Sequence, residues 1–110
     1  MSSARVILST IDNEIHAEQI ARTLVGERLA ACVSIIPRLT SIYRWQGVVE
    51  QEQETLMIIK TTSDKVAGAI AKIKEMHPYE VPELLSLLVD TGFQPYLDWI
   101  AGETRPQEQT

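Results

Sequence analysis

The residues best equipped for chemistry stand in one stretch, His77-Pro78-Tyr79-Glu80-Val81-Pro82-Glu83. It sets an imidazole, a phenol and carboxylates around two prolines. Pro78 stops a preceding helix and pushes His77 toward an extended backbone. Pro82 does the same to Val81, and its missing N–H suits the start of a strand. A stiff polar loop keeps side chains in fixed directions, as a ligand site requires. A rigid helix-to-strand connector with its polar groups in water fits the same residues. His77 could ligate a metal through one ring nitrogen, with Glu80, Glu83 or a neighbouring chain completing the shell. Its competing role is to fix the loop by hydrogen bonding.

Other reactive groups are sparse. Cys32 is the single cysteine and lies in an apolar run, where a thiol is ordinarily inert packing. A Cys-His nucleophile would need His77 within reach and amides for an oxyanion, and no glycine-rich turn flanks either residue. The glycines are scattered, so no phosphate-cradling loop is present. Glu50, Glu54, Glu80 and Glu83 leave paired-carboxylate chemistry open, although a charged strand middle reads first as a solvated face. His16 falls in an exposed polar setting. No catalytic residue is assigned, and a non-enzymatic protein is expected.

The chain has 110 residues, 45% of them apolar, which is enough for one core and one domain. That domain is expected to span 1–110, with a core over about 5–102 and a polar tail at 103–110. The net charge is −5, and lysines and arginines occur singly. A phosphate-tracking nucleic-acid surface is therefore not expected. No apolar run reaches membrane-spanning length, and the N-terminus lacks a signal-peptide core. With one cysteine no intrachain disulfide can form, so a cytoplasmic location is the expectation.

The elements that must position the loop follow from periodicity. Arg5 to Ile11 reads as a buried first strand. Asp12 and Asn13 supply a helix cap. Ile15, Ile20, Ala21, Leu24 and Val25 then share one face of a helix over 14–28, with Gly26 near its end. Leu29 to Pro37 reads as a second strand, broken by a bulge or edge position at Pro37, and resumes over Leu39–Trp45. Gln46-Gly47 is a hairpin turn into a third strand over 48–61. Thr62-Ser63-Asp64 is a second capping cluster. Val66, Ala67, Ile70, Ile73 and Met76 mark a second amphipathic helix, and Gly68 within it allows close packing. Leu84 to Val89 reads as a buried fourth strand, and a short helix starts near Pro95.

The order is β-α-β-β-α-β with an added C-terminal helix. This is an α+β, ferredoxin-like arrangement, an antiparallel sheet with helices on one face. Its hairpin is unusually long. Residues 29–46 fully extended measure roughly 55–60 Å, whereas a domain of this size is about 35 Å across. The hairpin bends at Pro37, reaches beyond the core, or does both. Tyr43 and Trp45 near its tip would expose aromatic surface, which predicts a homo-oligomer with the hairpin packed on a neighbour.

Five blocks in order carry a family resemblance: 28–33 (RLAACV), 41–47 (SIYRWQG), 54–61 (ETLMIIKT), 77–83 (HPYEVPE) and 96–100 (YLDWI). Over about residues 6–100 the chain resembles the CutA-type divalent-cation-tolerance family. The resemblance implies a homotrimer with an architecture similar to the PII signalling proteins. It also implies a role in tolerance of divalent metals, copper especially, with no cofactor required beyond a weakly bound copper ion. The family's copper positions fall here at Ser9, Met76 and His77, so only His77 keeps a ligand of the family type. Tyr43, Trp45, Glu54, Lys60, Tyr79, Glu80 and Glu83 are the polar and aromatic members of the blocks. They are the expected ligand pocket or subunit interface. Lys60 there would neutralise an anion or pair with a glutamate. Two further readings stay open, a PII-like small-molecule sensor acting on a protein partner and a purely structural trimer.

Overall fold

A computed structural model describes residues 3–106. Strand β1 (Ala4–Ile11) leads to helix α1 (Glu14–Gly26), strands β2 (Cys32–Trp45) and β3 (Val48–Thr62), helix α2 (Val66–Met76), strand β4 (Leu85–Leu88) and helix α3 (Gln94–Glu103). The strands form one four-stranded sheet in the order β2-β3-β1-β4, with every pairing antiparallel. This is the ferredoxin-like order expected from the sequence.

The core is the seam between sheet and helices. Ile7, Ile11, Met57 and Ile59 project from β1 and β3 onto Ala17, Ile20 and Leu24 of α1 and Ala69 and Ile73 of α2. All are essentially inaccessible, and each large one contributes about 1.5–3 kcal/mol by leaving water. The expected face of α1 is displaced. Ile15 and Val25 are exposed, and Ala17 takes part in the buried stripe instead. On α2, Ile73 is buried and Ile70 and Met76 pack partly, but Ala67 is exposed and Ala69 takes its place.

The two helix starts differ. Asn13 caps α1, its side chain accepting the His16 N–H at 2.9 Å. The cluster at 62–64 does not cap α2 in that way. Ser63–Lys65 form a turn of 3-10 helix, and the Thr62 hydroxyl donates to Asp64 at 2.6 Å. Helix α1 ends sooner than periodicity indicates, and Gly26 is not what ends it. Arg28 adopts φ 59°. Arg28 N–H then returns to the Val25 carbonyl and Leu29 N–H to the Leu24 carbonyl. That is a Schellman closure with arginine where glycine is usual. It makes 29–30 part of the helix exit rather than of the second strand, which begins at Cys32. Gly68 does permit close approach, since a Cβ there would lie 3.0 Å from Leu29 Cδ2.

The hairpin decides the shape. Gln46 (φ 50°) and Gly47 (φ 83°) form a tight two-residue turn between Trp45 and Val48. β1 pairs with β3 only from Thr55 to Thr62. Beyond that point β2 and β3 have only each other, from Leu39–Glu54 to Trp45–Val48. The change comes at Pro37 and Arg38, where the register shifts between Ile36 and Leu39 and Arg38 takes φ 57°. Both bulge and overhang are therefore present. The molecule measures 54 × 29 × 21 Å.

Two expectations need correction. β4 is short and exposed rather than buried. It lies at the sheet edge beside β1, and Leu85, Leu87 and Leu88 are 53%, 48% and 62% accessible. Its leucines are apolar, but none of the described residues covers them. The polar tail also starts later than 103. Glu103 ends α3, and Thr104 is buried, donating to the Ile100 carbonyl at 3.0 Å. Residues 107–110 of that tail lie outside the described residues.

Candidate functional site

The loop after α2 is stapled by His77. Its N–H closes the last helical turn on the Ile73 carbonyl at 2.8 Å, and its extended backbone (φ −76°, ψ 134°) then delivers Pro78. The ring is buried. Tyr79 N–H lies 3.1 Å from Nδ1. A backbone amide can only donate, so Nδ1 presents its lone pair. Nε2 then carries the hydrogen and donates to the Thr10 carbonyl at 2.7 Å. Both nitrogens are engaged, and the loop-fixing role is the one the geometry fills. The metal-ligand role expected for His77 finds no free lone pair in this arrangement.

Tyr79 carries the fixation to the hairpin. Its ring tilts against His77, with centroids 4.7 Å apart. Its phenol donates to Glu54 Oε2 at 2.9 Å. Burial, the bond to Glu54, and the charges of Glu54, Asp12 and Glu52 push this phenol above its ordinary value, so it keeps its proton. Glu54 itself is only 8% exposed.

The opposite wall is the lower face of the overhanging hairpin. Side chains alternate along a strand, which puts Glu50, Glu52 and Glu54 in one row. Across the ladder Tyr43 faces Glu50 and Ser41 faces Glu52. Between this row and residues 79–83 lies a cleft of about 820 Å³. It gathers Tyr43, Trp45, Glu54, Tyr79, Glu80 and Glu83, six of the expected residues, and its lining contains no lysine, arginine or histidine. Desolvation, then Glu52, raises the Tyr43 phenol as well.

Two members of the row, Glu50 and Glu52, were not among the expected pocket residues. The signal was a glutamate at every second position from 50 to 54, the period of a strand face. Lys60 was expected in the pocket and lies outside it. It is on the sheet body, donating to Ser34 at 2.6 Å and sitting 3.7 Å from the Cys32 sulfur. Cys32 is half-buried there. His16 is not simply solvated, because its Nδ1 lies 2.8 Å from the Asp12 carboxylate.

Residues 5–103 match the family model described as CutA1 divalent ion tolerance protein. The chain belongs to the CutA1 family. It is 48% identical over 99 residues to the divalent-cation tolerance protein CutA of Thermus thermophilus, spanning 90% of this chain and 96% of that one. It is also 48% identical over 91 residues to human protein CutA, covering 83% of this chain but 51% of the human one. The crystal structure of CutA from Xylella fastidiosa superposes with a TM-score of 0.91 at 43% identity, covering 94% of this chain and all of that one.

Within this CutA1 chain the three positions given by the resemblance do not form a ligand set. Ser9 is fully buried, and its hydroxyl has no hydrogen-bond partner among the described residues. Met76 packs against the core. His77 is engaged as described. Among the described residues, no three histidine, cysteine or carboxylate side chains converge on a metal-sized point. No described helix is long and apolar enough to cross a membrane.

Proposed function

We propose that this protein acts without catalysis, as a homotrimer, in tolerance of divalent metal ions including copper, and that it binds its ligand in the acidic cleft. The observation that carries the reading is the place of the cleft. It opens under the arm formed by residues 39–54, and that arm leaves Ile42, Trp45, Val48 and Val49 exposed on a two-stranded ribbon. An isolated two-stranded ribbon is marginal in water. A neighbouring copy covering it would also close the cleft. Among the described residues one chain brings no three ligands together, so a metal held here draws carboxylates from more than one chain or keeps several waters.

Calorimetric titration of the assembled protein with copper(II) and zinc(II) tests this. Saturable heat that is lost in Glu52→Gln and kept in His77→Ala supports the cleft as the metal site. Heat lost only in His77→Ala moves the site to the loop, and no heat with either metal ends the metal reading.

A further inference from the structure

Away from the cleft, a sulfur nucleophile and an amine are held face to face. Cys32 opens β2 and pairs directly across the ladder with Lys60 of β3. Residues directly opposed in this way point to the same side of the sheet and interact. Ser34, two positions along β2, shares that side. Strand register thus fixes a triangle. Lys60 Nζ lies 2.6 Å from Ser34 Oγ and 3.7 Å from Cys32 Sγ, and the Ser34 oxygen lies 4.0 Å from that sulfur. The bond to Ser34 holds the end of a long, flexible side chain against the thiol. All three contacts are made within one chain, on the half of the hairpin that β1 supports through its Val6–Lys60 pair. None depends on what covers the outer arm.

This geometry decides the fate of the sulfur once it is oxidised. A sulfenic acid condenses with a second thiol, or with a nitrogen to give a sulfenamide. The chain has a single cysteine, so it offers no second thiol of its own. The nitrogen is already in place. A covalent bond between second-row partners such as a disulfide is about 2 Å long, so Nζ has only about 2 Å left to close.

We propose that Cys32 is a site of modification by hydroperoxides and that its product is a cross-strand sulfenamide to Lys60. In the first step the Cys32 thiolate attacks one oxygen of the peroxide. The O–O bond breaks, sulfur is oxidised by two electrons, and Cys32 becomes a sulfenic acid. The hydroxide released from hydrogen peroxide takes up the thiol proton as water. In the second step Lys60 gives one proton to solvent and its nitrogen lone pair attacks the sulfur. The S–O bond breaks, and the hydroxide leaves with a second nitrogen proton as water. One peroxide becomes two waters, and the neutral protein loses two hydrogens. The new bond staples the start of β2 to β3 and removes the Lys60 charge. An added thiol reverses it by attack on the sulfur. This inference goes beyond the metal-tolerance reading and does not rest on it.

The test is intact-mass spectrometry of the assembled protein after treatment with hydrogen peroxide, with dimedone in a parallel sample to trap sulfenic acid. The wild type should lose the mass of two hydrogens, give no dimedone adduct once the reaction is complete, and recover its mass in dithiothreitol. Peptide mapping before reduction should join the segment holding Cys32 to the segment holding Lys60. Lys60→Arg keeps the cation but removes the amine, so it should collect the dimedone adduct and show no loss of two hydrogens. Lys60→Met serves as the second variant if Lys60→Arg loses the native circular dichroism. Cys32→Ser should show neither product. Equal dimedone labelling of the wild type and Lys60→Arg would overturn the proposal, because the sulfenic acid would then be ignoring the lysine. A mass of two chains joined by a disulfide would overturn it as well. So would a folded, assembled wild type whose Cys32 stays a free thiol in peroxide, since the site would then be closed to the oxidant.

Discussion

The two halves of the one hairpin both carry large apolar residues, and these meet opposite fates. In the half beside β1, Met57, Ile59 and Thr61 are fully buried under the helices. In the half beyond Pro37, Ile42 is 68% accessible, Val49 62% and Trp45 55%. Only the outer half of β3 is acidic, over 50–54, but large apolar residues occur in both halves, and cover is what separates their fates. The inner half is held by its own chain, through β1 on its edge and α1 and α2 on its face. Among the described residues, the outer half has its partner strand and, at its base, the Tyr79 bond to Glu54. A sequence that continues β-branched and aromatic residues into uncovered backbone is supplying surface for another molecule. The cleft lies at the boundary, where the outer half overhangs the loop held by His77 and Tyr79.

This contrast can be broken by substitution. Ile59→Ala on the inner half should lower the unfolding free energy by about 2–5 kcal/mol, measured by chemical denaturation. Ile42→Ala on the outer half should leave the fold in place and act on association, seen as dissociation at higher protein concentration. If the two cost the same in a dissociated chain, the distinction between the halves is wrong.

At the boundary, Tyr79→Phe leaves the buried Glu54 carboxylate without its phenol donor and should cost about 1–3 kcal/mol. It should also change the alkaline limb. The Tyr79 phenol is raised from its ordinary value of 10.0 in the folded protein. The stability it contributes is complete below that value. It is lost as pH rises from there toward the higher folded value, because the unfolded chain releases the proton first. The wild type should thus lose stability more steeply above pH 10 than Tyr79→Phe, in denaturation curves at stepped pH. His77→Ala removes bonds to Thr10 and Tyr79 and should cost about 1–2 kcal/mol, with copper heats unchanged. Ser9→Ala should have the smallest effect, a gain of up to about 1 kcal/mol, because it deletes a buried hydroxyl with no hydrogen-bond partner among the described residues.

Much of this was legible in the residues. The element order followed from period-2 and period-3.6 patterning. The overhang followed from strand length against domain size, and Pro37 marked the bulge. Pro78 marked the end of α2. What escaped were properties of context. Arg28 ends α1 in a left-handed conformation that composition assigns to glycine. The leucines of β4 read as buried because apolar pattern reports preference, not which surface arrives to cover it. Lys60 belongs to a resemblance block, yet its position on the strand places it with Cys32 and Ser34, one sheet half away from the cleft. The pairing of both His77 nitrogens depends on the Thr10 carbonyl, 67 residues away in the chain, and no local pattern could supply it.

The central claim is that the outer half of the hairpin is an interface between copies of this chain. Light scattering on the purified protein at micromolar concentration tests it most directly. A mass of three times the 12.4 kDa of the chain, falling toward a single chain when Ile42 and Val49 are both changed to serine, is the predicted result. A wild-type protein that stays at 12.4 kDa across that range would contradict it.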